Sequence, residues 1–168
     1  INRKIVDHLS DINMPISEHA RSYLIREGIR PESIIKIGSS MPEVLENSML
    51  NINASQIINT LKLKSQDFFV LSLHREENVD SKKNLTKIIG CLDAVIKKFN
   101  KEIIFSLHPR TKKRLENLGL KKSMSSKIRF LKPLGFNDYI KLQLESFCVI
   151  SDSGTISEES SILKIPAI

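Results

Sequence analysis

The apolar pair Val149-Ile150 gives way to Ser151-Asp152-Ser153-Gly154-Thr155 and then directly to Ile156-Ser157-Glu158-Glu159. This pattern reads as a strand that ends in a small polar turn and opens a helix. The first N–H groups of a helix lack intrahelical acceptors, and a glycine lets an anion approach them closely. Ser153 and Thr155 add hydroxyl donors, and Glu159 presents a carboxylate that can accept hydrogen bonds from a ribose diol. The same residues also fit a plain helix start, with Asp152 or Ser153 as N-cap and the two glutamates complementing the helix dipole. Pattern alone leaves the two readings level.

A second group, His74-Arg75-Glu76-Glu77-Asn78, follows the apolar run Phe68-Phe69-Val70-Leu71-Ser72-Leu73. A histidine beside an arginine can hold a diphosphate and protonate or stabilise a leaving phosphate oxygen. The plainer reading is a surface loop in which Arg75 pairs with Glu76 or Glu77. A third group, Phe105-Ser106-Leu107-His108-Pro109-Arg110, echoes the second. Each places His and Arg just past the carboxyl end of a strand, the edge where open α/β sheets bind ligands. The third signal is weaker, because a His before Pro can simply cap a strand. His8 and His19 fall in helical patterns and read as structural. The sequence holds no G-x-G-x-x-G, Walker A, G-x-S-x-G or H-E-x-x-H motif, and no Cys/His spacing that suggests zinc.

The elements that must carry these groups alternate along the chain. Apolar runs at 68–73, 103–107, 128–131 and 147–150 read as strands. Helical periodicity follows at Asn84–Phe99, Thr111–Leu118, Asn137–Leu144 and Thr155–Leu163. Strands apolar on both faces and separated by helices predict a parallel sheet covered on each side, with right-handed crossovers. Residues 67–168 are therefore expected to form a Rossmann-like α/β domain. Residues 1–40 open inside a helix and carry strand patterns at Asp11–Ile16 and Ile34–Ile37, with a helix Glu18–Glu27 stopped by Gly28 between them. That run is too small to hold a core alone and reads as the tail of a preceding domain. Residues 41–66 read as a connector, helical from Pro42 to Leu63. The final Lys164-Ile165-Pro166-Ala167-Ile168 reads as the opening of another strand, so the expectation is a fragment cut at both ends.

The 168 residues are 40% hydrophobic and 27% charged, ordinary for a soluble globular chain. No stretch approaches the roughly 18 apolar residues of a membrane span. The opening Ile1-Asn2-Arg3-Lys4 has no signal-peptide pattern, which points to a cytoplasmic protein. Cys91 and Cys148 sit in apolar patterns and read as buried thiols rather than a disulfide. The net charge of +7 could suit nucleic acid, but aromatics are only 5% and there is no Trp. The lysines recur as separated pairs (82-83, 97-98, 112-113, 121-122), read as solvated helix faces. Neither a nucleic-acid nor a membrane partner is expected.

The order of motifs resembles the non-hydrolysing UDP-N-acetylglucosamine 2-epimerase family along essentially the whole chain. The matching pieces are Ile1-Asn2-Arg3, Ser17-Glu18-His19-Ala20-Arg21, Leu24-Ile25-Arg26-Glu27-Gly28, Gly38-Ser39-Ser40, His74-Arg75-Glu76-Glu77-Asn78, and Ser151-Asp152-Ser153-Gly154 with Glu158-Glu159. The resemblance implies a two-domain, glycosyltransferase-B-like architecture, of which this chain would be mostly the C-terminal half. It implies a UDP-sugar substrate, anti elimination of UDP across C1–C2 to a glycal, and re-addition of UDP with inversion at C2. No metal or other cofactor is implied, and the intact enzyme would be a homodimer. By position, His74 is implied as the catalytic group near the diphosphate. Ser153 and Gly154 fall at phosphate oxygens, Glu159 at the ribose, Tyr139 near the uracil, and Arg3, Arg75 and Thr155 at the substrate. In members that bind a second, activating substrate molecule, positions matching Arg75 and His108 help form that allosteric site.

The chain also departs from the family pattern. The family's catalytic carboxylates lie before the position of Ile1, and an arginine-bearing nucleotide motif lies beyond that of Ile168. Thr155 stands where a second Gly is common, and Tyr139 where Phe is more usual. Leu107-His108-Pro109-Arg110 and the Gly38–Leu45 segment resemble the capsule and O-antigen branch, some members of which epimerise a UDP-2-acetamido-2,6-dideoxy-hexose. A glycosyltransferase of the same architecture would share Glu159 and the anion-binding turn without needing His74 to Glu77.

Overall fold

The computed structural model describes residues 2–168, apart from the side chains of Lys122 and Ser123. Ile1 of the first motif, and the Lys122 side chain of the last lysine pair, lie outside the described residues. The chain divides into two compact units, residues 1–46 and 47–168, with the division inside a helix.

In the first unit, α1 (Asn2–Leu9) precedes α2 (Glu18–Arg26), which Ser17 caps by accepting the Ala20 N–H at 3.2 Å. Gly28, at φ +90°, takes the chain out of the helix as the sequence predicts. The two expected strands are reduced to one parallel bridge, Asn13 with Ile34. Backbone bonds from Asn13 to Ser33, Ile35 to Asn13 and Ile37 to Pro15 hold the segments together. An isolated pair of parallel segments is weak, and only Leu24, Ile29 and Ile34 make a buried cluster here. Ile12, Met14, Ile16, Ile35 and Ile37 are all at least half exposed.

The expected connector is two helices, α3 (Met41–Ala54) and α4 (Ile57–Leu61). The second unit then builds a four-stranded sheet from β1 (Phe68–Ser72), β2 (Glu102–Ser106), β3 (Ile128–Leu131) and β4 (Cys148–Ser151). All pairings are parallel and the spatial order is β3-β2-β1-β4. The connecting helices are α5 (Glu76–Val79), α6 (Lys82–Phe99), α7 (Pro109–Asn117), α8 (Phe136–Glu145) and α9 (Ile156–Leu163). Alternation along β1 shows why the run reads as continuously apolar. Phe69 and Leu71 join a core with Leu85, Ile89 and Leu92 of α6 and Leu115 of α7, whereas Phe68 and Val70 join Leu142 of α8 and Ile156 of α9. Both faces of the sheet are covered.

The last residues form a parallel bridge from Ala167 to Val149, with backbone bonds from Val149 to Pro166, Ser151 to Ile168 and Ile168 to Val149. A further expectation fails. Cys91 is exposed, because the buried stripe of α6 runs through Leu85, Ile89, Leu92 and Ile96 and leaves position 91 to one side. Cys148 is half-buried, with its thiol pushed up by burial, and neither cysteine is bonded to another. No helix among the described residues is long and apolar enough to cross a membrane.

Candidate functional site

The sheet order changes direction at β1, which continues to β2 on one side and pairs with β4 on the other. A parallel sheet opens a crevice at such a switch point, outside the carboxyl ends of the two strands. The loop after β1 carries His74 and Arg75, and the turn after β4 carries Asp152, Ser153 and Gly154.

Asp152 joins the two. Its carboxylate accepts the His74 N–H at 3.0 and 3.3 Å on its two oxygens, the Arg75 N–H at 3.0 Å and the Asn78 side-chain amide at 3.1 Å. His74 Nδ1 lies 3.3 Å from Asp152 Oδ1, and the Asp152 side chain is only 9% exposed while that of His74 is 46% exposed. Backbone of one loop is thus bound by a carboxylate from the other, and the imidazole is left facing outward. The Arg75 guanidinium lies over Gly154, since a Cβ added there would sit 3.6 Å from its nearest nitrogen. Arg75 also lies 3.4 Å from Glu77.

The turn into α9 is knit by hydroxyls. The Ser153 hydroxyl accepts the Thr155 N–H at 3.3 Å, and the two hydroxyls are 3.0 Å apart. Thr155 Oγ1 donates to Glu159 Oε1 at 2.8 Å, and Gln143 Nε2 donates to Glu159 Oε2 at 2.9 Å. Neither Asp152 nor Ser153 is the helix N-cap. That position is Thr155, in helical geometry and with no side-chain capping bond. Tyr139 lies on α8, one turn before Gln143. Burial pushes its phenol above the ordinary tyrosine value; hydrogen bonds with Gln143 and Ser72 pull it back, and the Glu159 charge adds to the upward push.

Beyond β2 the echo loop is built differently. His108 is the N-cap of α7, its Nδ1 accepting the Arg110 N–H at 3.3 Å. Arg110 reaches back to ion pairs with Glu76 and Asp80, and its hydrogen bonds to them hold its guanidinium above its usual value. Arg114 adds a bond to the Asp80 carbonyl at 2.8 Å, and the buried Thr111 hydroxyl donates to the Leu73 carbonyl at 2.8 Å. A cavity of about 300 Å³ lies between these loops, lined by Ser72, His74, Glu76, Ser106, His108, Arg110 and Pro133.

Residues 1–168 match the family described as UDP-N-acetylglucosamine 2-epimerase. The chain belongs to that family. A UDP-N-acetylglucosamine 2-epimerase of Methanocaldococcus jannaschii is 37% identical over all of this chain and 47% of its own length. A solved structure of the UDP-GlcNAc 2-epimerase from that organism, in complex with UDP-GlcNAc and UDP, matches 99% of this chain and 47% of its own with a TM-score of 0.89 and 34% identity. The structure of UDP-N-acetylglucosamine 2-epimerase from Rickettsia bellii matches 99% of this chain and 43% of its own, at a TM-score of 0.90 and 51% identity. The chain spans about half the length of the curated relatives it matches. Its Rossmann-like sheet is therefore that of a glycosyltransferase-B-like epimerase.

Of the residues singled out from sequence in this epimerase-family chain, His74, Arg75, Ser153 and Gly154 come together around the switch point; Thr155 bonds Glu159 directly, and Tyr139 lies one turn before the Gln143 that bonds the other Glu159 oxygen. His108 lies across the 300 Å³ cavity from His74. Arg3 belongs to the first unit, where it pairs with Asp7 and, at 2.8 Å, with Glu27; the Glu27 hydrogen bond raises Arg3 and lowers Glu27. It lines a cleft of about 670 Å³ there with Tyr23 and Glu27. Sequence reasoning gave Asp152 only as a helix cap and gave Gln143 no role. The bonds of Asp152 cross more than seventy residues and leave no local pattern. Gln143 was findable as an amide one turn from Tyr139 on an otherwise apolar helix face.

Proposed function

We propose that this chain carries the nucleotide-diphosphate part of the active site of a UDP-N-acetylglucosamine 2-epimerase. The observation that carries the reading is the Asp152 carboxylate, which locks the His74–Arg75 backbone against the Ser153–Gly154 turn. Diphosphate oxygens lie against that turn, where the Ser153 hydroxyl and the Gly154 N–H donate to them. Arg75 supplies charge. His74 meets the oxygen that leaves C1 and stabilises its developing negative charge. Glu159 accepts the ribose hydroxyls, Thr155 holds Glu159, and Tyr139 lies beside the uracil.

In the reaction a base takes the C2 proton as the C1–O bond breaks, and the bonding pair leaves with UDP. The glycal that forms accepts UDP again at C1 while a proton arrives on the opposite face of C2. UDP is both leaving group and nucleophile, so nothing is oxidised or reduced overall. By the resemblance, the carboxylates that move the C2 proton fall outside residues 1–168, and these residues alone are expected to bind UDP without epimerising a UDP-HexNAc. The whole enzyme works in the cytoplasm as a homodimer, with Arg75 and His108 available to a second, activating ligand.

The test is calorimetric titration of UDP into this chain and into Glu159→Ala, with ADP for comparison. Selective UDP binding weakened by the substitution supports the reading. A folded chain with no preference for UDP over ADP overturns it.

A further inference from the structure

Gln143 lies on α8 among apolar neighbours and is fully buried. Its Nε2 donates to Glu159 Oε2 at 2.9 Å, and its Oε1 is buried with no hydrogen-bond partner among the described residues. A half-satisfied buried amide is costly, and methionine or leucine would fill similar space without that cost. What the amide supplies is a fixed partner for a carboxylate. Thr155 Oγ1 donates to the other oxygen, Oε1, at 2.8 Å, so Glu159 has one protein donor on each oxygen. A carboxylate oxygen has two acceptor positions, and one therefore remains on each oxygen, in a carboxylate that cannot rotate freely. Two adjacent acceptors at fixed separation match the two O–H groups of a ribose cis-diol.

We propose that Gln143 is a positioning residue that sets the Glu159 carboxylate for a cis-diol and so makes the site select ribonucleotides over 2′-deoxyribonucleotides. This rests on the reading of Glu159 as the ribose partner. Tyr139 lies one turn away on the same helix.

The experiment titrates UDP and 2′-deoxy-UDP into the chain, Gln143→Met, Glu159→Ala and the double variant. The unmodified chain is expected to prefer UDP on the order of tenfold, the worth of a hydrogen bond to a charged group. Gln143→Met should lose most of that preference while binding 2′-deoxy-UDP as before. The double variant should bind no more weakly than Glu159→Ala, since the two residues act as one unit. A Glu159→Ala chain that keeps the preference overturns the ribose reading and the inference together, as does a chain that binds neither nucleotide. Loss of preference in Glu159→Ala but not in Gln143→Met overturns the inference alone, and so does a Gln143→Met chain that weakens for both ligands equally. If Gln143→Met does not fold, the side-chain amide signal of Gln143 in the unmodified chain decides. It should shift more with UDP than with 2′-deoxy-UDP, and equal shifts overturn the proposal.

Discussion

The loops after β1 and β2 start from the same ingredients, a histidine and an arginine just past a strand, and use them in opposite ways. After β1 the backbone N–H groups of His74 and Arg75 are held by Asp152, which leaves both side chains about half exposed even though the His74 ring also lies 3.3 Å from that carboxylate. After β2 the His108 ring caps α7 and Arg110 is committed to Glu76 and Asp80. A residue type becomes available for chemistry when something else does the structural work. Here that something is a nearly buried carboxylate from β4.

The sharpest way to break this contrast is Asp152→Ala. Several donors lose a charged acceptor at once, and a hydrogen bond to a charged group is worth about 1.5–3 kcal/mol, so urea unfolding should move by an amount on that order. UDP affinity should fall by more than about tenfold for the same reason, and the His74 and Arg75 amides should exchange faster. Unchanged exchange at those two amides would falsify the clamp. Next comes the pair His74→Ala and His108→Ala. The first should weaken UDP binding with little effect on stability. The second should leave UDP binding alone and cost about 0.5–1 kcal/mol, as for a lost helix cap. If both weaken UDP alike, the two loops are not different in kind.

Arg110→Ala should have a smaller effect, a slight loss of stability that disappears in high salt, because its partners are exposed and screened. Salt-independent loss would mean that Arg110 holds the β1 loop more firmly than a surface pair can. The smallest effect concerns Tyr139, whose phenol is raised by burial. A raised folded value favours the protonated form in the native state. Its contribution is whole below the ordinary value of about 10 and fades as pH rises through the folded value. Tyr139→Phe should therefore flatten the alkaline limb of a stability–pH profile relative to its neutral region, which thermal melts at stepped pH would show.

The sheet was legible because its central strands, β1 and β2, are buried on both faces and so read as unbroken apolar runs, as at Phe68–Leu71. The strands expected at Asp11–Ile16 and Ile34–Ile37 came down to a single bridge, since apolar alternation states which side chains seek cover but not whether cover is present. Cys91 misled for a related reason, a small apolar residue beside a buried stripe rather than on it. In the site, the Ser153–Thr155 turn and its helix were readable because strand, turn and helix are consecutive. The Asp152 clamp was not, because a carboxylate after a strand looks the same whether it caps its own helix or a loop from another strand.

The pairing of β1 with β4 sets Phe69 against Cys148, and the bonds from His74 and Arg75 to Asp152 lie just beyond that seam. Contacts between residues so far apart in sequence carry a large loop-closure cost and tend to form late. A chain that has paired β1 with β2 and β2 with β3 has most of a sheet but no crevice. Competence to bind the diphosphate should therefore arise in refolding with the last strand rather than the first helices, which makes nucleotide binding a reporter of when the sheet is complete.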